Sequence, residues 1–274
     1  MAIKTYKPTT PTLRYKSVVV REQVTTDKPY KPLLVDKKST GGRNRDGRIT
    51  TRFRGGGHKR KYRLVDFRQN KFDVPGVVET IEYDPNRTAN IALIKYVDGE
   101  RRYILATANM AVGNVIVTSE NAEPTEGNRI LLKNVPLGYD VCNLEMKAGK
   151  GGQIARGAGA FAKVIAKDGK FVQLKLPSSE IRNFPDTLFA TIGQMSNIEH
   201  ANEVIGSAGR VRWRGRRPHN RGVSMNPVDH PMGGGEGKHA GGHPKSPWGQ
   251  KAKGLKTRSK KSLSDKYIVS RRKK

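Results

Sequence analysis

The sequence predicts a mainly β protein in which more than one small barrel lies between two long basic extensions. The 53 Lys and Arg residues outnumber the 24 Asp and Glu residues, for a net charge of +29. This charge is uneven, because residues 1–60 carry +12, residues 61–200 only +2 and residues 201–274 +15. Val, Ile, Leu and Phe account for 39 of 140 residues in the middle, but only 11 of 60 and 9 of 74 at the two ends. Only the middle is therefore rich enough in apolar residues to bury a sizeable core.

Short strand-forming runs separated by turns fill the first half of the middle segment. A turn is expected around Pro85, and Asp98-Gly99 is a dipeptide typical of tight β-hairpins. Alternating residues predict a strand at Val77–Tyr83, and the runs that flank the hairpin signal predict strands at Ile91–Val97 and Tyr103–Leu105.

The second half of the middle repeats this pattern. Its predicted strands are Ile130–Leu132, Val141–Glu145, Gln153–Ala155, Ala160–Ala166 and Phe171–Leu176. Short strands at turn spacings of about 8 to 12 residues indicate small barrels, and 140 residues exceed what one such barrel needs. A turn or two of helix is expected within Asn183–Phe189 and within Ser196–Gly206.

A domain boundary is expected near Glu123–Gly127, between the two groups of strands. The predicted organisation is a basic extension at 1–60, a first barrel at 61–124, a second barrel at 125–200 and a basic, glycine-rich extension at 201–274.

Composition also narrows the possible functions. Cys142 is the only cysteine, and no apolar run approaches the roughly 18 residues that a transmembrane helix needs. Met1–Lys16 lacks the apolar core of a signal peptide. We therefore expect a reducing compartment and no membrane partner. Because basic side chains that neutralise phosphates release condensed counterions, the large positive charge indicates a nucleic acid as the main partner.

Motifs of the common catalytic classes are absent from the sequence, which has no zinc-peptidase, phosphate-loop or nucleophile-elbow pattern. No enzymatic activity and no cofactor are therefore expected. The glycine-rich stretch Gly149–Gly159 contains Lys150 and Arg156, but it lacks the strand and downstream acid of a dinucleotide site. We interpret its glycines as letting the backbone lie close to RNA phosphates.

Histidines near the C-terminus leave two alternatives open. His230, His239 and His243 lie in a glycine-rich segment, but without cysteine they make only a weak zinc signal, and no metal site is predicted. Asp229 beside His230 resembles an oriented general base, yet no nucleophile or pocket can be assigned to the pair. The favoured interpretation is a polar loop in which Asn226, Asp229 and His230 bond to the loop backbone or to an RNA base edge.

Two arginine-rich clusters carry the strongest functional signal. A planar guanidinium can fork onto phosphate oxygens and stack on bases, and nearby glycines let the backbone approach RNA closely. Trp213 adds an aromatic face, although a single tryptophan is more often a packing anchor. The alternative for both clusters is a solvated charged surface. The predicted RNA-binding residues are Arg43, Arg45, Arg48, Arg52, Arg54, His58, Lys59, Arg60, Lys61, Arg156, Arg182, Arg210, Arg212, Trp213, Arg214, Arg216, Arg217, Arg221, Asn226 and His230.

Several motifs resemble those of the ribosomal protein L2 family. The most specific is Met225–Pro231, which reads MNPVDHP and is followed by GGGEG at Gly233–Gly237. The resemblance covers nearly the whole chain, since it continues in Ser39–Phe67, Leu176–Arg182, Ala190–Gln194 and Ala208–Pro218.

This resemblance implies an oligonucleotide-binding (OB) fold barrel followed by an SH3-like barrel, with tails threaded into ribosomal RNA. It implies a structural constituent of the large subunit that binds the large-subunit ribosomal RNA early. Support of subunit assembly, of subunit association and of the peptidyl-transferase region is also implied. The expected partners are large-subunit RNA, small-subunit RNA through an intersubunit bridge, and other ribosomal proteins, in a bacterial cytoplasm. The alternative is a free-standing RNA- or DNA-binding protein.

Two positions depart from the family pattern. Met232 stands where many relatives have a second histidine, and Cys142 stands where histidine is common. Any role that requires an imidazole at position 232 is therefore in doubt. His230 matches the family histidine, for which the resemblance implies a supporting hydrogen-bond role rather than a chemical one.

Overall fold

The computed structural model describes residues 3–237 and 242–272, and it confirms the predicted mainly β class. Helical structure within these ranges comprises helix α1 (Ala208–Trp213) and short 3-10 helices at Lys31–Leu33, Leu132–Asn134, Ile198–Asn202, Gly222–Ser224 and Leu263–Tyr267. The strands are β1 (Ile3–Thr5), β2 (Ser17–Val19), β3 (Leu34–Asp36), β4 (Lys61–Arg63), β5 (Gly76–Glu82), β6 (Ile91–Tyr96), β7 (Arg101–Leu105), β8 (Val115–Ile116), β9 (Arg129–Leu131), β10 (Asp140–Cys142), β11 (Leu144–Glu145), β12 (Gly152–Ile154), β13 (Ala162–Asp168), β14 (Phe171–Lys175), β15 (Ile181–Pro185), β16 (Phe189–Ile192) and β17 (Ile268–Ser270).

The chain divides into two compact units. Unit 1 comprises Met1–Lys38, Lys59–Gly206 and Lys266–Lys274, and unit 2 comprises Ser39–His58 and Ser207–Asp265. Every buried apolar side chain of the described residues lies between Val78 and Met195, inside unit 1. The core therefore lies where the apolar composition predicted it.

An antiparallel sheet in the order β7-β6-β5-β8 forms the first part of unit 1. Its strand β6 is buried on both faces. Ala92 and Ile94 pack into one apolar cluster, and Ile91 and Leu93 pack into another on the opposite face. This double burial explains why β6 is a continuous apolar run rather than an alternating one.

A seven-stranded sheet in the order β17-β15-β14-β13-β10-β16-β9 forms the second part of unit 1. A bulge between Val164 and Ala166 shifts the register of β13 against β14. Bulges of this kind bend and twist a strand locally. The sheets of the structure curl, consistent with barrel-like domains, and the core of this one includes Val141, Leu174 and Ile192.

The two sheets share an apolar cluster. Ile91 and Tyr103 of the first sheet meet Cys142 and Met195 of the second part in this cluster, and Thr107 forms a backbone bridge to Met195. The predicted divisions at residues 60, 124 and 200 stay predictions.

The terminal segments contribute strands that the sequence did not predict. β1 pairs with β2, β3 pairs with β4, and β17 pairs with β15 at the edge of the seven-stranded sheet. These strands are short and half exposed, so their sequences lack the apolar alternation by which strands are recognised.

The helical prediction for Asn183–Phe189 is wrong. Most of this stretch belongs to strands β15 and β16, and β15 pairs with β14 over five residues. Local sequence is a weak guide here because pairing with a neighbouring strand decides the structure. The turn of helix predicted within Ser196–Gly206 is confirmed as the 3-10 helix Ile198–Asn202.

No helix in the described part of the chain has the length and apolar character to span a membrane.

Candidate nucleic-acid interface

Unit 2 is built by pairing two arginine-rich segments that are far apart in sequence. The N–H of Gly55 donates to the carbonyl of Gly215 at 3.1 Å, and the N–H of Arg217 donates to the carbonyl of Phe53 at 3.0 Å. An antiparallel bridge joins Arg54 to Arg216. The two clusters of the sequence analysis therefore form one structural element.

Glycine at position 57 is required by this pairing. Gly57 has φ +92°, and a Cβ added there would lie 2.7 Å from the amide nitrogen of Gly215. Any other residue would push the two segments apart. Unit 2 is strongly basic, since residues 39–58 and 207–265 together contain 19 Lys and Arg but only 4 Asp and Glu. The pairing of the two backbones brings many of these cations close together.

An open cleft of about 440 Å³ lies in unit 2 between the paired segments. Arg43, Arg54, Arg212 and Arg217 line it, together with glycines at positions 41, 55 and 56. No acidic residue lines this cleft in the described part of the chain. Four guanidinium groups beside exposed backbone make a site suited to phosphate oxygens, which accept forked hydrogen bonds from arginine.

Nine arginines of unit 2 differ in their surroundings from the ion-paired cations of unit 1. In unit 1, Arg101 forms a two-pronged contact with Glu79, and Lys71 binds both Asp98 and Glu100. Within residues 3–237 and 242–272, no carboxylate lies within 4.0 Å of the cluster arginines Arg43, Arg45, Arg48, Arg52, Arg54, Arg212, Arg216, Arg217 and Arg221. These nine guanidinium groups are thus available for an external anion.

Aromatic rings accompany the arginines. Trp213 is 55% exposed, so it is not the buried packing anchor that was the alternative for it. Its ring lies 5.8 Å from the imidazole of His58, and the His58 amide donates to the Trp213 carbonyl at 3.0 Å. An exposed indole that is held in place in this way can stack on a base.

His230 is enclosed by its own loop. The side chain is 7% exposed and its Nδ1 accepts a hydrogen bond from the Met232 amide at 3.0 Å. A Cβ added at Gly222 would lie 2.2 Å from its ring, so only glycine leaves room for the imidazole there. The loop is closed by the N–H of His230, which donates to the carbonyl of Asn226. This arrangement holds the loop together, whereas the Asn226 side chain is exposed.

The described residues do not form the zinc site that was considered as an alternative for these histidines. His239 lies outside them, and within them no group of three His, Cys, Asp or Glu side chains could hold a metal ion. His243 instead contacts the carbonyl of Lys253 at 3.2 Å.

The remaining predicted residues lie in unit 1. Arg156 packs over the ring of Phe67, with its guanidinium carbon 4.6 Å from the ring centre. Arg60 donates to the Pro85 carbonyl at 2.8 Å. Lys59 and Lys61 are exposed, and Arg182 is half buried on β15 with its guanidinium over Phe184.

Arg87, which lies near Arg156, was not among the predicted RNA-binding residues. Arg87 lies over the same Phe67 ring at 5.5 Å and over Tyr62 at 5.9 Å. Phe67, Tyr62, Arg87 and Arg156 thus form one layer of alternating rings and cations. The signal in the sequence was the aromatic residues that interrupt the basic run after residue 59, but Arg87 and Arg156 are distant in sequence and only the fold brings them together.

The interpretation of the 149–159 glycines changes in part. Gly151 and Gly152 are buried, and a Cβ on Gly152 would lie 1.9 Å from the Asn143 side-chain oxygen. The Gly152 amide donates to the carbonyl of Phe67. These two glycines allow a close approach within the protein rather than to RNA, whereas Gly149 has open space around its Cα.

Two family models match the chain. The model described as Ribosomal Proteins L2, RNA binding N-terminal domain, matches residues 30–118, and the model described as Ribosomal Proteins L2, C-terminal domain, matches residues 125–249. The matched ranges, 89 and 125 of the 274 residues, include the four-stranded sheet, the seven-stranded sheet except β17, and the paired arginine-rich segments. The chain therefore belongs to the ribosomal protein L2 family, the RNA-binding structural proteins of the large ribosomal subunit.

Proposed function

We propose that this chain is a primary binder of large-subunit ribosomal RNA and that the arginines of unit 2 make most of its phosphate contacts. The observation that carries the proposal is the cleft lined by Arg43, Arg54, Arg212 and Arg217, none of which faces a carboxylate within the described residues. The ring and cation layer around Phe67 supplies a second contact surface, in unit 1.

The same proposal includes specific roles within the ribosome. The chain supports assembly of the large subunit, and its glycine-rich loop at Asn226–Gly237 lies toward the peptidyl-transferase region. It also contributes to a bridge with small-subunit RNA and contacts other ribosomal proteins, in a bacterial cytoplasm. The compact loop around His230 supports a positioning role for this segment.

We infer no catalytic role for His230. Its Nδ1 is occupied by the Met232 amide and its ring is enclosed, which suits a structural group that shapes the loop. Trp213 and the remaining predicted residues act as RNA contacts through stacking and phosphate binding.

The test removes two cleft charges. In the variant Arg212→Gln/Arg217→Gln, we expect weaker binding to full-length large-subunit RNA and a smaller salt dependence. A plot of log affinity against log salt should lose about 0.7 to 0.9 in slope for each phosphate contact removed. Filter binding at several KCl concentrations measures this slope.

A matched control removes the same charge elsewhere. Lys95→Gln/Arg101→Gln also loses two cations, but these flank Glu79, which partly neutralises them. We expect this control to keep the wild-type slope. Equal loss of slope in both variants would mean that binding depends on overall charge and not on the cleft. Competition with DNA of the same sequence separates the proposal from a general nucleic-acid binder, because A-form geometry and the 2′-hydroxyl favour RNA.

A further inference from the structure

Trp248 is the most exposed aromatic side chain in the described part of unit 2. The residue is 79% exposed and lies at the tip of a small hairpin. Lys245 and Lys251 face each other across this hairpin in an antiparallel bridge. An indole that is 79% exposed buries little of its surface within the chain, so its exposure points to a function outside it.

Hydrogen bonds fix the backbone of the turn that carries this indole. The N–H of Gly249 donates to the carbonyl of Ser246 at 2.9 Å, which closes a turn with Pro247 in its second position and Trp248 in its third. Proline restricts its own φ angle, and Gly249 adopts φ +78°. The N–H of Ser246 donates to the carbonyl of Gln250 at 2.7 Å, and that of Ala252 donates to Pro244 at 2.8 Å.

A cation also faces the ring. The guanidinium carbon of Arg52 lies 5.7 Å from the centre of the Trp248 ring, within the range of a cation–π contact. Because the side chain remains largely exposed, this contact leaves part of the ring surface open. The hairpin that carries the indole thus bears two lysines, Lys245 and Lys251, and a third cation, Arg52, faces the ring.

We propose that Trp248 is a stacking site for one unpaired nucleobase of RNA. A base has a flat ring for the indole and an adjacent phosphate for the lysines, so it matches both features of the hairpin tip. A purely apolar protein partner would leave the three cations unused. The inference rests on the proposed function, since it assigns one base contact within the RNA complex.

Fluorescence of Trp248 tests the contact directly. The chain has two tryptophans, so Trp213→Phe leaves Trp248 as the sole indole. We expect its emission to be quenched by a single-stranded 12-nucleotide oligo(A) and by full-length large-subunit RNA. An RNA duplex with the same number of phosphates should quench it much less, because its bases are already stacked.

Substitutions in the wild-type background separate stacking from charge. Trp248→Ala should weaken RNA binding about 5- to 150-fold, the range observed for loss of one stacked base, without changing the salt slope. Trp248→Phe should recover most of the affinity because it keeps a ring, whereas Trp248→Leu should not. Arg52→Gln, in contrast, should lower the slope if Arg52 contacts a phosphate as proposed. Because the Trp248 side chain is exposed, thermal melting of these variants should match that of the wild type.

Two outcomes would overturn the inference. One is unchanged Trp248 emission in a complex whose formation is confirmed by filter binding. The other is full rescue by Trp248→Leu, which would indicate an apolar contact rather than stacking. If no RNA complex forms at all, the proposed function fails instead, so the two failures can be told apart.

Discussion

Glu82 is a buried carboxyl group whose partners come from distant parts of unit 1. The hydroxyl of Tyr103 donates to it at 2.8 Å and the hydroxyl of Thr80 at 3.1 Å. The Tyr103 oxygen in turn accepts from the amide of Tyr30 at 2.7 Å, which ties the N-terminal segment to the sheet. Desolvation by burial raises the pKa of Glu82 above its ordinary value of 4.5.

This raised pKa makes a testable contribution to stability. The native state holds the Glu82 proton more tightly than the unfolded state does, so the contribution is present below pH 4.5 and is lost as pH rises through the native pKa. Relative to Glu82→Gln, the wild type should therefore become less stable between pH 4 and pH 7. Urea unfolding of both proteins across this range measures the difference.

Glu79 provides a control of opposite sign. Its hydrogen bonds with Arg101 lower the pKa of this exposed carboxyl group, so its contribution is present above pH 4.5 and is lost as pH falls. Relative to Glu79→Gln, the wild type should become less stable on acidification. If the wild type gains stability relative to Glu82→Gln as pH rises, as Glu79 is expected to show relative to Glu79→Gln, the assignment of a raised pKa to Glu82 is wrong.

Another residue-scale feature could not be predicted from sequence. Arg129 is fully buried, and its Nη2 lies 3.1 Å from Oε1 of Glu145. Its Nη1 donates to the carbonyl of Asn143 at 3.0 Å. Nothing in the local sequence marks these residues as partners. They come together only because the fold brings β9 close to β11. Removing one member of such a pair leaves a buried, uncompensated charge.

At the scale of elements, β17 is a C-terminal strand that completes the edge of the seven-stranded sheet. It pairs with β15 through Ile181↔Ser270 and Arg182↔Ile268, and the Tyr267 ring lies 6.0 Å from that of Phe171. Part of the basic C-terminal segment is therefore integral to the fold of unit 1.

Deleting residues 266–274 should expose the backbone of β15. We expect a loss of about 0.5 to 2 kcal/mol in stability, given two cross-strand pairs. Hydrogen exchange of the amides in β15 should become faster, because the strand becomes an edge. Mass spectrometry after exchange measures the protection.

The deletion also removes five cations, so a charge control is needed. Replacing Arg271, Arg272, Lys273 and Lys274 by Gln removes four of them and keeps the strand. This variant should exchange as the wild type does. If β15 exchanges equally fast in both variants, charge rather than pairing protects it.

For the whole molecule, a net charge of +29 should make both the stability of the free protein and its affinity for RNA depend on salt concentration. Screening of mutual repulsion among cations should raise the melting temperature of the free protein between 20 and 300 mM KCl. Affinity for large-subunit RNA should fall over the same range, because releasing the condensed counterions into more concentrated salt gains less entropy. Opposite responses in melting and binding experiments would support this link, and a melting temperature that falls with salt would contradict it.

The positions of the central strands β5, β6, β7, β13 and β14 were predictable, because each is an apolar run bounded by a turn. Strands β15 and β17 were not, since their residues are half exposed and gain their structure from a neighbouring strand. Strand β16 was missed although three of its four residues are buried. Among the site residues, the basic clusters were visible as composition. Arg87 was missed, and Trp248 was not assigned a role, because each is set apart only by its place in the fold.

The amino-acid sequence by itself determined the β class, the apolar middle and the two cationic clusters, because these depend on local periodicity and composition. The family motif around residues 225–237 was likewise local. Tertiary structure alone decided that residues 39–58 pair with residues 207–221, that Arg129 meets Glu145, and that two of the loop glycines serve packing within the protein. The physical reason is that such contacts join residues far apart in the chain, and their free energy exists only once the backbone has brought them together.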